Sequence, residues 1–197
     1  MTLVKTSIQE QLLQTLDSVI PESINRPVAL HEPAFFGNEL KYVSDCIETG
    51  WVSSVGKYVD LIEENLCELT GSKYVIAVAN GTAALHLAYM MAGVKDGDEV
   101  LVPALTFIAT ANAVTYCGAM PHFVDSNEID LGVCPVKLDA YLSEIAEINN
   151  GFCINTNTGK VIRALCVTHV FGLPAQLKPL KAVCDKYNIA LIEDAAE

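Results

Sequence analysis

The chain has 197 residues, a net charge of −12 and 12 basic residues, of which only Arg26 and Arg163 are arginines. Half of it is hydrophobic and 18% is charged, which excludes a disordered chain and a nucleic-acid binder dependent on a basic face. No apolar run approaches a membrane span and no secretory leader opens the chain, while seven widely spaced cysteines without a C-x-x-C pair point away from a metal centre or a disulfide framework and fit a reducing cytoplasm.

Ile8, Leu12, Leu13, Leu16, Val19 and Ile20 share one face of a helix over residues 1–20, limited by Pro21. Residues 21–36, with Pro21, Pro27 and Pro33, read as an extended connection. Asn38 is expected to cap a helix reaching about Glu48, with Gly50 beyond its end. A loop over Trp51–Val55 precedes a helix from Lys57 to Leu69, closed by Gly71. The five apolar residues Val75 to Ala79 suit a strand buried on both faces. Gly81 then allows a sharp turn, and Thr82 caps and opens a helix to Met91.

The pattern repeats. Asp96-Gly97-Asp98 turns the chain into a strand over 99–102, a helix over 107–117 ends at Gly118, and a strand follows over 121–125. A helix runs from Pro135 to about Ile148, and Asn149-Asn150-Gly151 is a turn. Residues 152–154 and 160–162 pair as a hairpin around Asn157-Thr158-Gly159. Strand 164–168, helix 176–187 and strand 189–193 complete the run. This alternation predicts a three-layer α/β domain with a mostly parallel central sheet over residues 30–197, preceded by a helix and extended connection over 1–29.

Ligands of such sheets collect beyond the carboxyl ends of the strands. The residues standing there are Gly81 and Thr82, then Pro103, Thr106 and Phe107, then Asp125, then His169, Phe171 and Gly172, and lastly Asp194 to Glu197. A helix start at Gly81 offers unpaired N–H groups to a phosphate, although those residues alone equally describe an ordinary strand-to-helix turn. Phe107 is a stacking ring or a core residue, and Asp194 the partner of a cation or a helix cap. Together the set suits a phosphorylated, flat, cationic ring, of which pyridoxal phosphate is one. His169 reads as structural, and His86 and His122 as packing residues. The segment Gly50–Lys57 is no P-loop: five residues separate its glycines, and Tyr58 stands where Ser or Thr is required.

Five motifs carry a resemblance: Asn80-Gly81-Thr82-Ala83-Ala84-Leu85-His86, Gly97-Asp98-Glu99-Val100-Leu101-Val102-Pro103, Thr106-Phe107-Ile108-Ala109-Thr110, Gly118 to Asp125, and Ile192-Glu193-Asp194-Ala195-Ala196-Glu197. In order and spacing they resemble the DegT/StrS family of pyridoxal-phosphate-dependent sugar aminotransferases, over about residues 30–197. Gly50 to Asp60 and Gly151 to Arg163 resemble the family's LegC-like branch, which acts on UDP-linked amino sugars on the way to nonulosonic acids. The resemblance implies part of the large domain of fold-type I transferases, pyridoxal 5'-phosphate as cofactor, an amino donor such as glutamate, a nucleotide-sugar acceptor, and a homodimer in the complete protein. It assigns Gly81, Thr82 and Ala83 to the cofactor phosphate, Phe107 to stacking on the ring and Asp194 to the pyridine nitrogen. Glu197 stands where relatives carry Gln or His near the phenolic oxygen, and Trp51, Val52, Ser53 and Ser54 match the substrate loop.

In that family the Schiff-base lysine follows the Glu193 to Ala196 motif, inside which this chain stops. None of the ten lysines stands at the family's position, so the chain reads as the N-terminal part of an aminotransferase, inactive alone. A related sugar dehydratase, with histidine in place of that lysine, and a non-catalytic cofactor- or sugar-nucleotide-binding remnant are the alternatives.

Overall fold

The computed structural model describes residues 7–21 and 33–197. The chain divides into two compact units, Met1–Tyr58 and Val59–Glu197. The first six residues and most of the connection expected over 21–36 lie outside the described residues.

In the first unit, α1 (Ile8–Val19) starts with a capping box: Ser7 Oγ accepts the Glu10 N–H, and the Glu10 carboxylate accepts the Ser7 N–H at 2.7 Å. Ile20 leaves the helix in an extended conformation, as a residue before proline must. Helix α2 (Glu39–Thr49) ends on Gly50, whose φ of 76° closes the helix as only glycine does readily. Its start differs from the expected cap: the Asn38 side chain makes no cap bond, and Glu39 instead folds back to accept the Gly37 N–H at 2.9 Å. The helix α3 (Lys57–Thr70) begins where the two units divide.

The second unit is a six-stranded sheet between two helical layers. Its elements after α3 are α4 (Gly81–Met91), β1 (Glu99–Pro103), α5 (Ile108–Tyr116), β2 (Met120–Val124), α6 (Pro135–Ile145), β3 (Ala146–Asn149), β4 (Phe152–Asn155), β5 (Val161–Thr168), α7 (Leu177–Tyr187) and β6 (Ala190–Asp194). Strands β2, β1, β5 and β6 lie side by side and parallel, and the antiparallel β4 and β3 continue the sheet from the first half of β5. Side-chain alternation builds both faces. Leu101, Leu165 and Val167 pack with Leu138 and Leu142 of α6 and Leu180 and Cys184 of α7. Val100, Val102, Ala164 and Cys166 pack with Leu85 and Tyr89 of α4 and Ala113 and Val114 of α5. The expected three-layer, mostly parallel α/β architecture is the one observed.

Three local expectations fail. Val75 to Ala79 is not a strand: none of the described strands pairs with it, Ile76 and Val78 are exposed, and the Ala77 N–H goes to Glu63 Oε1 of α3 at 2.8 Å. Apolar composition makes a segment fit for a sheet, but a strand exists only through its neighbour's hydrogen bonds. The helix from Pro135 stops at Ile145, and Ala146–Asn149 becomes β3. There Asn150 and Gly151, at φ 50° and 82°, form the two-residue turn that joins β3 to β4, which in turn pairs with β5 as foreseen. Finally, α4 starts two residues early, capped by Asn80 and not Thr82. Among the described residues no helix is long and apolar enough to cross a membrane.

Candidate active site

Four parallel strands set four ends on one edge of the sheet: Pro103, Val124, Thr168 and Asp194. Helix α5 begins at that edge directly after β1. A short turn over residues 92–98 returns the end of α4 to the start of β1, so α4 begins toward the same edge as α5.

At the start of α4, Asn80 Oδ1 accepts the Ala83 N–H at 2.9 Å, and the Asn80 carbonyl accepts the Ala84 N–H at 3.1 Å. The cap is therefore Asn80 and not Thr82, because a residue needs an extended backbone to turn its side chain onto the first turn, and Asn80 has it (φ −165°, ψ 168°). The Ala83 N–H is thus already bonded within the protein. Gly81 and Thr82, in the first two helical positions, have N–H groups with no acceptor inside the helix. Gly81 is not in the left-handed region, so its use is room: a Cβ there would meet nothing within 4 Å. This helix start therefore presents two N–H groups without an acceptor inside the helix, the positive end of an eleven-residue helix and open space at Gly81.

Asp194 closes β6 and is 8% exposed. Its Oδ2 accepts the Thr110 hydroxyl at 2.7 Å, and its Oδ1 has only the Ala196 N–H at 3.4 Å. Thr110 is fully buried on α5, its hydroxyl lies 2.8 Å from that of Thr106, and Thr106 lies 2.8 Å from Thr168 at the end of β5. Tyr89 of α4 donates to the Thr110 carbonyl at 3.1 Å. Burial raises the Tyr89 phenol far above its ordinary range and pushes the neighbouring Cys166 thiol up to about 12, so both stay neutral. Among the described residues no ion pair reaches Asp194.

Phe107 precedes α5 and is 75% exposed, so it is no core residue but an open ring beside Thr106. Glu197 is exposed, and its carbonyl lies 3.5 Å from where a Gly172 Cβ would sit, which places it by the turn after β5. His169 ties that turn down: its backbone N–H donates to the Asp194 carbonyl at 3.1 Å, and its Nδ1 accepts the Ala175 N–H at 3.0 Å. Trp51, Val52, Ser53 and Ser54 form an exposed loop in the other unit, with the Trp51 Cβ packed 3.4 Å from where a Gly56 Cβ would be. A groove lined by Phe123, Asp125, Lys137 and Tyr141 runs along the outer strand β2, separated from β6 by β1 and β5.

Sequence reasoning missed Asn80, Thr110 and Thr168. The Thr106 and Thr110 spacing of one helical turn was a readable signal. The pairings of Thr106 with Thr168 and of Thr110 with Asp194 span 62 and 84 residues and gave none.

A three-layer α/β domain with an acid, an exposed ring and an open helix start toward one edge is the architecture of the large domain of fold-type I pyridoxal-phosphate transferases. The sequence profile of the DegT/DnrJ/EryC1/StrS aminotransferase family matches residues 35–197, and the chain belongs to that family. It is 37% identical to a GDP-perosamine synthase of Vibrio cholerae over 172 residues, covering 86% of this chain and 42% of the relative. It is 33% identical to EpsN of Bacillus subtilis, a putative pyridoxal phosphate-dependent aminotransferase, covering 88% of this chain and 42% of the relative. The crystal structure of a DegT DnrJ EryC1 StrS aminotransferase from Brucella abortus superposes with a TM-score of 0.69 at 32% identity, over 81% of this chain and 40% of that one. The chain thus spans about two fifths of the length of these curated relatives.

Proposed function

We propose that residues 30–197 form the cofactor-binding part of a pyridoxal-phosphate-dependent aminotransferase that passes an amino group, from a donor such as glutamate, to a nucleotide-linked keto-sugar. One observation carries the reading: Asp194 is a buried carboxylate with no cation among the described residues and one oxygen left almost free. A buried charge without a counter-charge is costly, and a cationic ring nitrogen relieves that cost. The surroundings fit the rest of the cofactor. Gly81 and Thr82 offer N–H groups at the start of α4 for a phosphate, and Phe107 offers an open face for a flat ring. Glu197 borders this edge of the sheet. When bound, pyridoxal phosphate supplies an electron-accepting ring. Asp194 accepts the ring N–H and keeps that nitrogen cationic, Phe107 excludes water from one ring face, and the start of α4 anchors the phosphate.

None of the ten lysines stands at the position, after the Glu193 to Ala196 motif, where this family's cofactor-attaching lysine falls, and among the described residues no ion pair joins a lysine to Asp194. The perosamine-synthase relatives support a nucleotide-sugar acceptor, whose name there carries GDP. The likeness of Gly50 to Asp60 and Gly151 to Arg163 to LegC-like enzymes supports a UDP-linked amino sugar of nonulosonic acid synthesis, contacted by Trp51 to Ser54. A homodimer belongs to the same reading.

A pair of substitutions in the complete transferase tests it. Asp194→Asn keeps the shape and removes the charge, so transamination falls about 100-fold, some 2.7 kcal/mol of transition-state stabilisation. Cofactor retention weakens less. Thr82→Val deletes the hydroxyl that the family resemblance turns toward the phosphate beside the backbone N–H groups, and so does the reverse, weakening retention with near-normal turnover at saturating cofactor. Full turnover in a folded Asp194→Asn enzyme rejects the reading.

A further inference from the structure

We infer that Thr110 is a positioning residue for Asp194, at the end of an ordered chain of three threonine hydroxyls, and that this chain aims the free carboxylate oxygen at the cationic group of the ligand. The proton order follows from counting. A carboxylate only accepts, so the Thr110 hydroxyl spends its one proton on Asp194 Oδ2 at 2.7 Å. In its 2.8 Å bond with Thr106, Thr110 must then accept, and Thr106 donates. Thr106 has no second proton, so in its 2.8 Å bond with Thr168 it accepts and Thr168 donates. Every bond points the same way: Thr168 to Thr106 to Thr110 to Asp194.

The chain links four pieces of structure: the end of β5, the loop after β1, the first turn of α5 and the end of β6. Thr110 is fully buried, Thr168 is 9% exposed and Thr106 is half-buried, so the bond to Asp194 is shielded from water, and each donor polarises the next. Hydroxyls support the negative charge without neutralising it, unlike an arginine or lysine. The other titratable groups around Asp194, Tyr89 and Cys166, are held neutral by burial, and His169 meets it only through the backbone. The full charge is therefore left for the ligand, with Oδ2 fixed by Thr110 and Oδ1 held only by the long Ala196 N–H bond at 3.4 Å. This inference rests on the cofactor reading above for the identity of the ligand, but the hydroxyl order stands on geometry alone.

The test uses Thr110→Val, which keeps shape and deletes the hydroxyl, Thr110→Ser, which restores it, and Thr106→Ala, which cuts the chain one link back. In cofactor-free protein the 13Cγ resonance of Asp194 should shift in Thr110→Val, shift less in Thr106→Ala and return in Thr110→Ser. With 15N-labelled pyridoxal phosphate in the complete enzyme, the ring nitrogen should be protonated in the wild type and in Thr110→Ser. It should move toward the unprotonated range in Thr110→Val, with kcat lower by about tenfold and KM for the amino donor changed by less than about twofold. An Asp194 resonance indifferent to Thr110→Val overturns the positioning role, even if the ring nitrogen is protonated. An unprotonated nitrogen in the wild type, with the 13Cγ response intact, upholds the hydroxyl chain and rejects the cofactor reading. Should Thr110→Val fail to fold, Thr106→Ala carries the same comparison, and no response there overturns the chain.

Discussion

Two carboxylates are buried at opposite edges of one sheet. Glu99 opens β1 and Asp194 closes β6, and β1, β5 and β6 run parallel. Glu99 is 1% exposed and fully served: Thr158 donates to Oε1 at 2.6 Å, while His122 Nδ1 and Asn155 Nδ2 donate to Oε2, each at 2.8 Å. His122 extends the cluster to the Tyr141 hydroxyl at 2.8 Å. The donors come from β2, the end of β4 and the turn before β5, so the glutamate pins the amino edge of the sheet together. Asp194 has one hydroxyl on one oxygen and almost nothing on the other. A carboxylate whose acceptors are all filled from within stabilises the fold, whereas one left half-empty is arranged for something else. The difference supports reading Glu99 as a structural acid and Asp194 as the acid of the proposed ligand site, without reference to any relative.

The largest expected effect breaks the comparison at its structural end. Glu99→Met, similar in length, leaves the buried Asn155 and His122 donors facing a thioether. Losing a buried acceptor shared by three donors costs about 3–4 kcal/mol, which lowers Tm by roughly 6–16 °C for a domain of this size. Chemical denaturation of the purified chain measures it, and a loss under about 1 kcal/mol would mean that the cluster is incidental.

The next effect is smaller and depends on pH. Burial raises the Glu99 carboxyl, but the bonds from Thr158, His122 and Asn155 outweigh it, and the net shift is downward. A carboxyl lowered in the folded state contributes stability above its unfolded value of about 4.3, and that contribution is lost as pH falls through the folded value. The stability gap between wild type and Glu99→Met should therefore be full at pH 7 and narrow below about pH 4. A gap that stays constant into acid would show that packing, and not the charge, is what the substitution removes.

These two regions also show what a sequence discloses. The order of helices and strands was legible because glycines such as Gly50 and Gly118 and the two hydrophobic periods are local signals. Strand ends followed from that order, so Asp194 and Phe107 could be placed at the carboxyl edge before any coordinates. Apart from the helix caps expected at Asn38 and Thr82, what failed was non-local. Val75 to Ala79 has the composition of a strand, but pairing is a property of two segments. Ala146-Glu147-Ile148 continues a helix by propensity, and only the Asn150-Gly151 turn, recognised as a turn but not as the hinge of a hairpin, marked it as a strand. His122 read as a packing residue because its partners Glu99 and Tyr141 lie 23 and 19 residues away; in the structure it is a hydrogen-bonded link between them. The Glu99 cluster and the long-range links of the Asp194 chain are invisible in one dimension, while the spacing of Thr106 and Thr110 and Asp194 itself are plain.

The smallest expected effect is the one that sharpens the comparison most. Asp194→Leu is close to isosteric, so it changes polarity with little change of volume, as Glu99→Met does. Only one buried donor, the Thr110 hydroxyl, loses its acceptor, and a hydroxyl can rotate toward another. Against that loss stands the removal of a buried charge that has no cationic partner among the described residues, which by itself favours the apolar residue. The two nearly cancel, and the cofactor-free chain should lose no more than about 1 kcal/mol, about a third of the cost at Glu99. The same denaturation experiment, run on both variants side by side at pH 7, reads the ratio directly. If Asp194→Leu costs as much as Glu99→Met, then Asp194 is a second structural pin, its open oxygen is filled by a contact within the fold, and the case for a cationic ligand at the carboxyl edge loses its main support.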